Sequence, residues 1–375
     1  MEYVKLKDVF SIKKGKKVEQ VEKSENTIRY IQIDDLRNND NIKYCEKNER
    51  YVYAQERDII IAWDGANAGT IGYGLNGAIG STLALLTKND DRFCTEYCGL
   101  FLKSKFKYLR DKCTGATIPH ISKSSLEELE IPLISKEEQL KIINIINLSK
   151  NLLDKKKDQI NLLDELVKSR FIEIFGDPIT NPKGWEKRKL ADKCSIITGN
   201  TPSRKVDEYY GDYIEWIKSD NITNAGTYLT TAKEYLSEKG LNVGRSVEQN
   251  SILMTCIAGS LKCIGNVAIA DRKVAFNQQI NGIQTLDNNV FFMFEQFNLS
   301  QSYIQSTINM ALKGILSKSQ LSELEFIFPP IELQNEFANF FNQVDKLKFE
   351  MEKSLKELED NFNSLMQKVF KGELF

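Results

Sequence analysis

Two patterns of hydrophobic and polar positions alternate along the chain. Over 1–134 and 185–330, short β-branched and aromatic runs such as TIRYIQI, DIIIAW and SILMTCIA are separated by Gly, Asn and Asp. Short runs of this kind between turn-forming residues predict β-strands. Over 136–175 and 331–371, apolar residues recur every three or four positions without an internal proline, which predicts long helices. The pattern therefore predicts an α+β chain in which each of two β-rich regions is followed by one long helix.

The second half of the chain repeats the first at an offset of about 185–195 residues. The offset is steady from the end of each β-rich region onward and drifts only before it, so the divergence is concentrated there. A variable recognition surface on a fixed frame and an old duplication with ordinary loop drift both explain this, and both stay open. The matched segments are LKDVFSIKKG (6–15) with LADKCSIITG (190–199), YIQIDDL (30–36) with WIKSDNI (216–222), and ISKSSLEELEIPLISKEEQ (121–139) with LSKSQLSELEFIFPPIELQ (316–334).

Prolines mark the borders between these segments. Pro132 and the pair Pro329–Pro330 precede the two helical stretches, and Pro178 and Pro182 follow the first one. We therefore predict five segments in chain order. They are a first β-rich domain at 1–134, a central spacer helix at 135–176, a linker at 177–184, a second β-rich domain at 185–330 and a C-terminal spacer helix at 331–375.

Each predicted helix carries an apolar stripe with near-heptad spacing. In the second helix the stripe runs through Phe337, Phe340, Val344, Leu347, Met351, Leu355, Leu358, Phe362, Leu365 and Val369. The positions 195 residues earlier are Ile142, Ile145, Ser149, Leu152, Lys156, Ile160, Leu163, Val167, Arg170 and Ile174, of which seven are apolar. Such stripes predict that the helices pack on each other, as an antiparallel coiled coil or as the core of an ordinary bundle. A coiled coil of 33 residues would be roughly 50 Å long and would hold the β-rich domains apart.

Composition argues against several classes of protein. The 375 residues include 51 Lys and Arg, 52 Asp and Glu and one His. No apolar run reaches about 18 residues, and the N-terminus lacks the apolar core of a signal peptide, so we expect a cytoplasmic protein with no membrane association. One histidine makes a catalytic triad or a multi-histidine metal site unexpected. The near-zero net charge also argues against the basic surface of a typical nucleic-acid binder.

Motifs for catalysis or cofactor binding are weak. There is no G-x-x-x-x-G-K-[ST] sequence, and the G-x-G-x-x-G match at 72–77 precedes strand-like residues, so we interpret it as a turn. Cys94, Cys98, Cys113 and His120 are irregularly spaced, which favours free thiols over a zinc site. We therefore predict no catalytic residue, no metal site and no cofactor-binding residue in this chain.

Each repeat opens with a cationic, turn-rich stretch. Lys and Arg next to Asn, Thr and Ser in loops are the groups that contact DNA phosphates and base edges. A solvated surface loop is the alternative, and recurrence at equivalent positions favours binding. The predicted DNA-binding residues are Lys13, Lys14, Lys16 and Lys17 in the first repeat and Asn200, Thr201, Ser203, Arg204 and Lys205 in the second, with Lys123 and Lys318 as phosphate contacts.

Together, these motifs resemble the specificity (S) subunit of Type I DNA restriction-modification enzymes. The resemblance extends over essentially the whole chain and rests on TGNTPS at 198–203, on WIKSDNI and YIQIDDL, on Asn277-Gln278-Gln279, and on the two segments that lead into the long helices. KKGKK replaces TGNTPS in the first repeat, so loop contacts carry over to Asn200, Thr201 and Ser203 more securely than to Lys16 and Lys17.

The resemblance implies a function. In that family each β-rich unit is a target recognition domain that reads half of a bipartite sequence in double-stranded DNA. The two antiparallel helices separate the domains and dock two methyltransferase (M) subunits, which bind S-adenosylmethionine and methylate adenine, while restriction (R) subunits cleave. The chain itself would then be a non-catalytic, sequence-specific DNA-binding subunit without a cofactor. The alternative is a non-enzymatic coiled-coil adaptor whose β-rich domains bind protein. Because no segment has a clear positive excess, we expect weak DNA binding by this chain without M.

Overall fold

Both halves of the chain build the same succession of elements in the computed structural model, which describes residues 2–115, 117–308 and 314–373. The first half contains strands β1 (Glu2–Lys5), β2 (Phe10–Lys14), β3 (Thr27–Ile31), β4 (Lys43–Glu46), β5 (Tyr53–Ala54), β6 (Ile59–Ala62), β7 (Ile71–Tyr73), β8 (Gly77–Ile79), β9 (Leu83–Lys88) and β10 (Glu130–Leu133), and helices α1 (Leu6–Val9), α2 (Thr95–Ser104), α3 (Phe106–Asp111), α4 (Lys123–Glu127) and α5 (Lys136–Phe175).

The second half repeats this series and adds two short helices. Its strands are β11 (Lys187–Lys189), β12 (Cys194–Thr198), β13 (Tyr210–Ile217), β14 (Tyr235–Leu236), β15 (Ser246–Val247), β16 (Ser251–Thr255), β17 (Val267–Ala270), β18 (Val274–Phe276), β19 (Ile280–Thr285) and β20 (Glu325–Ile327). Its helices are α6 (Leu190–Lys193), α7 (Ser219–Thr223), α8 (Glu238–Val243), α9 (Val290–Leu299), α10 (Gln301–Ser306), α11 (Lys318–Glu323) and α12 (Ile331–Lys371), with 3-10 turns at Asp34–Leu36, Asp207–Tyr209 and Leu261–Cys263.

The sheets of the two halves have the same topology. Each half has two four-stranded sheets, ordered β2-β9-β6-β7 and β4-β3-β8-β5 in the first, and β12-β19-β16-β17 and β14-β13-β18-β15 in the second. The pairs β3–β8 and β13–β18 are parallel, and the other pairs are antiparallel. Each strand of the second half thus occupies the same place as the first-half strand whose number is ten lower, for example β12 and β2. This correspondence confirms the predicted internal repeat and the α+β class.

A two-stranded ribbon ends each β-rich region next to its long helix. β1 pairs with β10 so that Glu2 lies opposite Leu133, and β11 pairs with β20 so that Lys187 lies opposite Ile327. The chain therefore leaves each β-rich region beside the point where it entered. The long helices follow within a few residues, at Lys136 and Ile331.

The chain forms two compact units, and both long helices contribute to each of them. The first unit consists of residues 1–156 and 354–375, and the second of 157–353. The five predicted segments follow chain order, whereas these units divide α5 and α12. In each unit a central strand is buried on both faces, Ile59–Ala62 in the first and Ser251–Thr255 in the second. A fully apolar run such as Ile59-Ile60-Ile61 is typical of a strand covered on both sides.

The long helices run antiparallel in each unit. In the first unit Ile142, Ile143 and Ile146 near the start of α5 share a core with Val369 and Phe370 at the end of α12. In the second unit the end of α5 meets the start of α12, and the residues that share this core are Val167, Phe171, Phe175, Phe337, Phe341 and Val344. The start of each helix therefore packs with the end of the other, which confirms the predicted antiparallel arrangement.

The predicted stripe has the wrong phase in part of each helix. Ile145 and Leu152 are 40 % and 52 % exposed, whereas their neighbours Ile146 and Leu153 are buried. In the second helix, Leu347 is 50 % exposed. Adjacent apolar pairs such as Ile145-Ile146 and Leu152-Leu153 fit either phase of a 3-4 repeat. The spacing alone therefore leaves the buried face undecided there, and tertiary packing selects the second residue of each pair.

Aromatic residues at equivalent positions end both long helices. Phe175 packs against Phe292 of α9 with ring centroids 4.8 Å apart, and Phe370 packs against Tyr97 of α2 at 5.4 Å. Phe175 and Phe370 are 195 positions apart, as are Tyr97 and Phe292. Each long helix thus begins beside its own β-rich region and ends against the short helix of the other half.

Two buried glutamines attach the starts of the long helices to the β-rich regions. Gln139 accepts a hydrogen bond from the Cys94 backbone N–H (2.7 Å) and donates to the Arg92 and Ile134 carbonyls. Gln334, 195 residues later, accepts from the Asn289 N–H (2.9 Å) and donates to the Pro329 carbonyl (2.8 Å). Both side chains are buried. In each half, one amide side chain thus hydrogen-bonds both to the backbone just before the short helix, α2 or α9, and to the backbone just before the long helix.

Over the described residues, the structure contains no helix with the length and apolar character needed to cross a membrane.

Replacing Gln139 by Met should destabilise the protein by about 1–3 kcal/mol, because the apolar side chain fits the space but leaves buried backbone groups unpaired. The free energy of unfolding in urea measures this loss. Gln159→Met, at an exposed position of the same helix, is the control and should cost less than about 0.5 kcal/mol. Equal stability of the two variants would contradict the role assigned to Gln139.

Candidate nucleic-acid interface

Nine of the eleven predicted contact residues lie where an edge strand ends. Lys13 and Lys14 end β2, and Lys16 and Lys17 follow Gly15. In the second half the segment from Asn200 to Lys205 follows β12 and Gly199. β2 and β12 occupy the same edge position in their sheets. The two basic loops are therefore structurally equivalent.

A glycine begins each loop because the backbone of a neighbouring turn lies against it. The Gly15 N–H donates to the Leu83 carbonyl (2.8 Å), and the Gly199 N–H donates to the Ile280 carbonyl (3.0 Å). A Cβ at Gly15 would lie 2.2 Å from the Gly80 carbonyl oxygen, and one at Gly199 would lie 2.2 Å from the Asn277 carbonyl oxygen. Only glycine fits such a close approach. Each loop is thereby held against the turn before β9 or β19.

Arg204 lies in a cluster of aromatic and charged side chains in the second unit. Its guanidinium stacks over the rings of Tyr210 and Trp216, at 4.4 and 5.0 Å from their centroids. It also donates to Glu234 at 2.6 Å, and Glu234 accepts a second charged hydrogen bond from Lys218. The bond from Lys218, with help from Arg204, lowers the pKa of the Glu234 carboxyl despite partial burial. One carboxylate thus holds two cations beside two aromatic rings.

The other predicted residues of this loop differ in how far the fold engages them. The Asn200 side-chain N–H donates to the Val243 carbonyl (2.8 Å), and its backbone carbonyl accepts from the Trp216 indole (3.3 Å). The exposed Thr201 hydroxyl donates to the Gln278 side chain. Ser203 and Lys205 are exposed, and the Ser203 hydroxyl accepts from the Lys205 N–H at 3.4 Å. Asn200 therefore stabilises the loop, while the exposed side chains of Thr201, Ser203 and Lys205 can contact a ligand.

In the first unit the basic loop carries a different charged cluster. Lys14 pairs with one oxygen of Asp64 at 2.7 Å, and the His120 Nδ1 lies 2.6 Å from the other. Burial alone would raise the pKa of Asp64, but the hydrogen bonds from Lys14 and His120 outweigh it and lower that pKa. The only histidine of the sequence thus lies beside the predicted loop and hydrogen-bonds to the carboxylate that Lys14 pairs with. Lys13, Lys16 and Lys17 are exposed.

The equivalent positions in the second unit are apolar. Asp64 and His120 form an isolated backbone bridge, and Ile257 and Ile315 form the same bridge in the second half. The backbone frame is therefore repeated, while the side chains beside the loop are not.

Lys123 and Lys318 lie on other elements. They are the first residues of the short helices α4 and α11, whose N-caps are Ser122 and Ser317. These helices contact α1 and α6. Both lysines are exposed, and Lys123 lies 3.5 Å from Glu127. The structure places them at matching sites of the repeat, separate from the loops that carry the other nine residues.

Sequence reasoning missed Tyr210, Trp216, Lys218 and Glu234. Two of them were within reach, because Trp216 and Lys218 lie in the matched segment WIKSDNI. Glu234 lies 30 residues from Arg204 in sequence and outside every matched segment. Only the pairing of β13 with β14 brings it close.

Comparison with known proteins identifies relatives across the whole chain. A family model described as "Type I restriction modification DNA specificity domain" matches residues 1–162 and again 182–360. The chain is 24 % identical to the Type I restriction enzyme MjaVIII specificity subunit of Methanocaldococcus jannaschii, covering 100 % of this chain and 92 % of that protein. It is 29 % identical to the HindI specificity subunit of Haemophilus influenzae over 52 % of this chain and 42 % of that one.

Solved structures share the fold at low sequence identity. The S subunit of a Type I restriction-modification system from M. genitalium matches with a TM-score of 0.56 and 16 % identity, over 98 % of this chain and 96 % of that one. A second match is a chain of a solved structure that describes complex assembly and conformational transition of the type I R-M system. Its TM-score is 0.65 and its sequence identity 16 %, and the match covers 100 % of this chain and 98 % of that one.

Replacing Gly199 by Ala should destabilise the protein by about 1–3 kcal/mol, because the added Cβ displaces the turn at Asn277. The free energy of unfolding in urea is the measurement. Gly226→Ala is the control, since a Cβ at Gly226 meets nothing within 4 Å. Similar stabilities of the two variants would show that the loop and the turn can separate without cost.

Proposed function

The chain belongs to the Type I restriction-modification DNA specificity family, with two copies of its domain, and from that premise we propose how the two copies act on DNA. The chain is a specificity subunit with two target recognition domains, and the protein-binding adaptor is not favoured. The proposal rests on the equivalence of the two basic loops. Each loop follows an edge strand, and a glycine at its start packs against a neighbouring turn. We propose that each loop contacts one half of a bipartite target sequence in double-stranded DNA.

Arg204 and Lys205 are the proposed DNA contacts with the clearest physical basis. Arg204 is 54 % exposed at its side chain and is aligned by two rings and one carboxylate. An arginine aligned in this way can form paired hydrogen bonds with a guanine edge or a phosphate, with less loss of side-chain freedom on binding than a free one. Lys13, Lys16 and Lys17 take the corresponding role in the first unit as exposed phosphate contacts.

The paired acids explain how DNA binding coexists with a near-zero net charge. Arg204 shares Glu234 with Lys218, and Lys14 shares Asp64 with His120. A DNA phosphate that binds one of these cationic side chains must compete with the carboxylate already paired with it. The gain in binding free energy is therefore smaller than for an unpaired cation. We propose that the subunit binds DNA weakly by itself and that methyltransferase subunits supply much of the neutralisation of the phosphates.

Exposed leucine and phenylalanine side chains on the long helices support the docking of partner subunits. In the first unit Leu140, Leu148 and Leu152 of α5 are 53 %, 63 % and 52 % exposed. In the second unit Leu162 of α5 and Phe349 of α12 are 64 % and 65 % exposed. Large apolar side chains grouped on a helix surface are typical of protein interfaces. We propose that these faces dock two methyltransferase subunits, which bind S-adenosylmethionine and carry the catalytic residues, and restriction subunits where the system has them. The chain itself supplies no catalytic group.

Replacing both Arg204 and Lys205 by Ala should weaken DNA binding and reduce its dependence on salt. The loss of Lys205 lowers the slope of log affinity against log salt concentration by roughly 1, and the loss of Arg204, which Glu234 already pairs, lowers it by less than that. Fluorescence anisotropy with a target duplex, at several salt concentrations and with the methyltransferase subunit present, measures both. Lys189→Ala removes a comparable exposed, glutamate-paired lysine of β11 and should change neither quantity. An unchanged slope in the double variant would remove these residues from the interface.

Deleting the gene should abolish adenine methylation at one bipartite DNA motif, and genome-wide methylation sequencing measures this. Wild type and Lys150→Glu, at an exposed polar position of α5, should restore the motif. Leu148→Glu should not, because a charge on the apolar docking face opposes assembly with the methyltransferase. If deletion leaves every bipartite motif methylated, the proposed function is wrong. If Leu148→Glu also restores methylation, only the docking face is wrong.

A further inference from the structure

The second unit contains a cavity of about 490 Å³ between α9 and the two long helices. Ligand-binding cavities are typically of about 300–1,000 Å³. The cavity is separate from the basic loop of this unit, since no residue from Gly199 to Lys205 lines it. Its walls combine apolar and charged side chains from α5, α7, α9, α12 and the segments 225–227 and 266–267. Those used below are Asp164, Lys168, Phe294, Glu295, Phe341, Val344, Asp345 and Lys348.

Glu295 is a buried carboxylate that is incompletely satisfied. It is 5 % exposed, and its Oε1 has no hydrogen-bond partner within the described chain. Asn298, one turn later on α9, provides a side-chain hydrogen bond. Burial raises the pKa of Glu295 to about 7, against a partly compensating attraction from Lys168. A buried carboxylate is costly unless it is paired. The cavity therefore contains an acceptor for which the described residues provide too few donors.

The first half of the chain shows that the fold does not need this carboxylate. Helix α2 is the counterpart of α9, with bounds 195 residues earlier. The position equivalent to Glu295 is Leu100, which is equally buried at 5 % exposure. Leucine at this position thus satisfies the packing of the same helix in the same fold. Packing therefore does not account for a glutamate at this position, where a buried carboxylate is costly, and a role in binding would.

Of the carboxylates that line the cavity, Glu295 is the one with a buried oxygen that lacks a hydrogen-bond partner among the described residues. From α12, Lys348 pairs with Asp164 of α5 at 2.6 Å, and Asp345 accepts a hydrogen bond from Thr227 at 2.6 Å. From α5, Lys168 pairs with Glu165 at 2.8 Å. Asp164, Glu295 and Asp345 outnumber Lys168 and Lys348 among the lining residues. The balance of charge in the cavity is negative.

We propose that this cavity binds an organic cation, an alkylammonium or guanidinium group on an apolar stem, with Glu295 as its counter-ion. The carboxylate would pair with the cationic head, and Phe294, Phe341 and Val344 would pack along the stem. A metal ion fits less well, since no three His, Cys, Asp or Glu side chains converge as a metal site among the described residues. The same chemistry has two sources. One is a free amine such as a polyamine, and the other is a Lys or Arg side chain of a docked methyltransferase subunit, which rests on the proposed function.

Calorimetric titration of the full chain with agmatine and with n-butylamine tests the first source. Wild type should bind at least one of them about tenfold or more tightly than Glu295→Gln, which keeps the shape but removes the charge. n-Butanol, the uncharged analogue, should not bind. Glu332→Gln removes an exposed carboxylate at the start of α12 that does not line the cavity and should bind as wild type does. Affinity should rise between about pH 6 and pH 8, because the cation binds the deprotonated form of a carboxyl with pKa about 7.

Assembly with the methyltransferase subunit tests the second source. If the cation belongs to that partner, Glu295→Gln should weaken assembly about tenfold, while assembly of Glu332→Gln and DNA binding by the isolated chain stay unchanged. A loss of affinity in either titration supports the proposal and identifies the source. Equal behaviour of wild type and Glu295→Gln in both titrations overturns it. If wild type does not assemble with the methyltransferase, the proposed function fails, and the amine titration alone then decides the cavity.

Discussion

The antiparallel packing of α5 and α12 is the contact on which the rest of the structure depends. Each helix ends in a phenylalanine that packs against the short helix of the other half, Phe175 on Phe292 and Phe370 on Tyr97. Each helix start is attached by a buried glutamine to its own β-rich region. Because the same contacts are made twice, neither half is complete without a helix end from the other. The first compact unit consequently forms from two separate stretches of the chain, 1–156 and 354–375, and the second is the stretch between them.

Charge is distributed in this protein by local pairing. The loops proposed to contact DNA are basic, yet Arg204 and Lys14 are each held by a carboxylate that also binds a second basic side chain. Pairing aligns the cations before DNA arrives and reduces the favourable free energy of binding any single phosphate. Such an arrangement suits a subunit whose task is to discriminate between sequences, since strong non-specific attraction to phosphates would mask differences between base edges.

The duplication preserved the backbone frame and let the side chains diverge. Strand order, the glycines at the two loops and the glutamines at the helix starts recur in both halves. Next to the basic loops, an Asp64–His120 pair corresponds to Ile257 and Ile315. On the short helix, Leu100 corresponds to Glu295. The two halves thus share a backbone frame but differ in the side chains beside the basic loops and in the cavity.

The sequence alone determined the parts of this protein that rest on local pattern. Apolar spacing predicted helices over 136–175 and 331–371, where α5 and α12 lie, and the internal match predicted the repeat, the family and the two equivalent loops. Tertiary structure decided the rest. The choice between Ile145 and Ile146 depends on which face meets a core, and both residues fit the spacing. Arg204, Trp216 and Glu234 become neighbours only through strand pairing between distant segments, and spacing along the chain carries no information about such contacts.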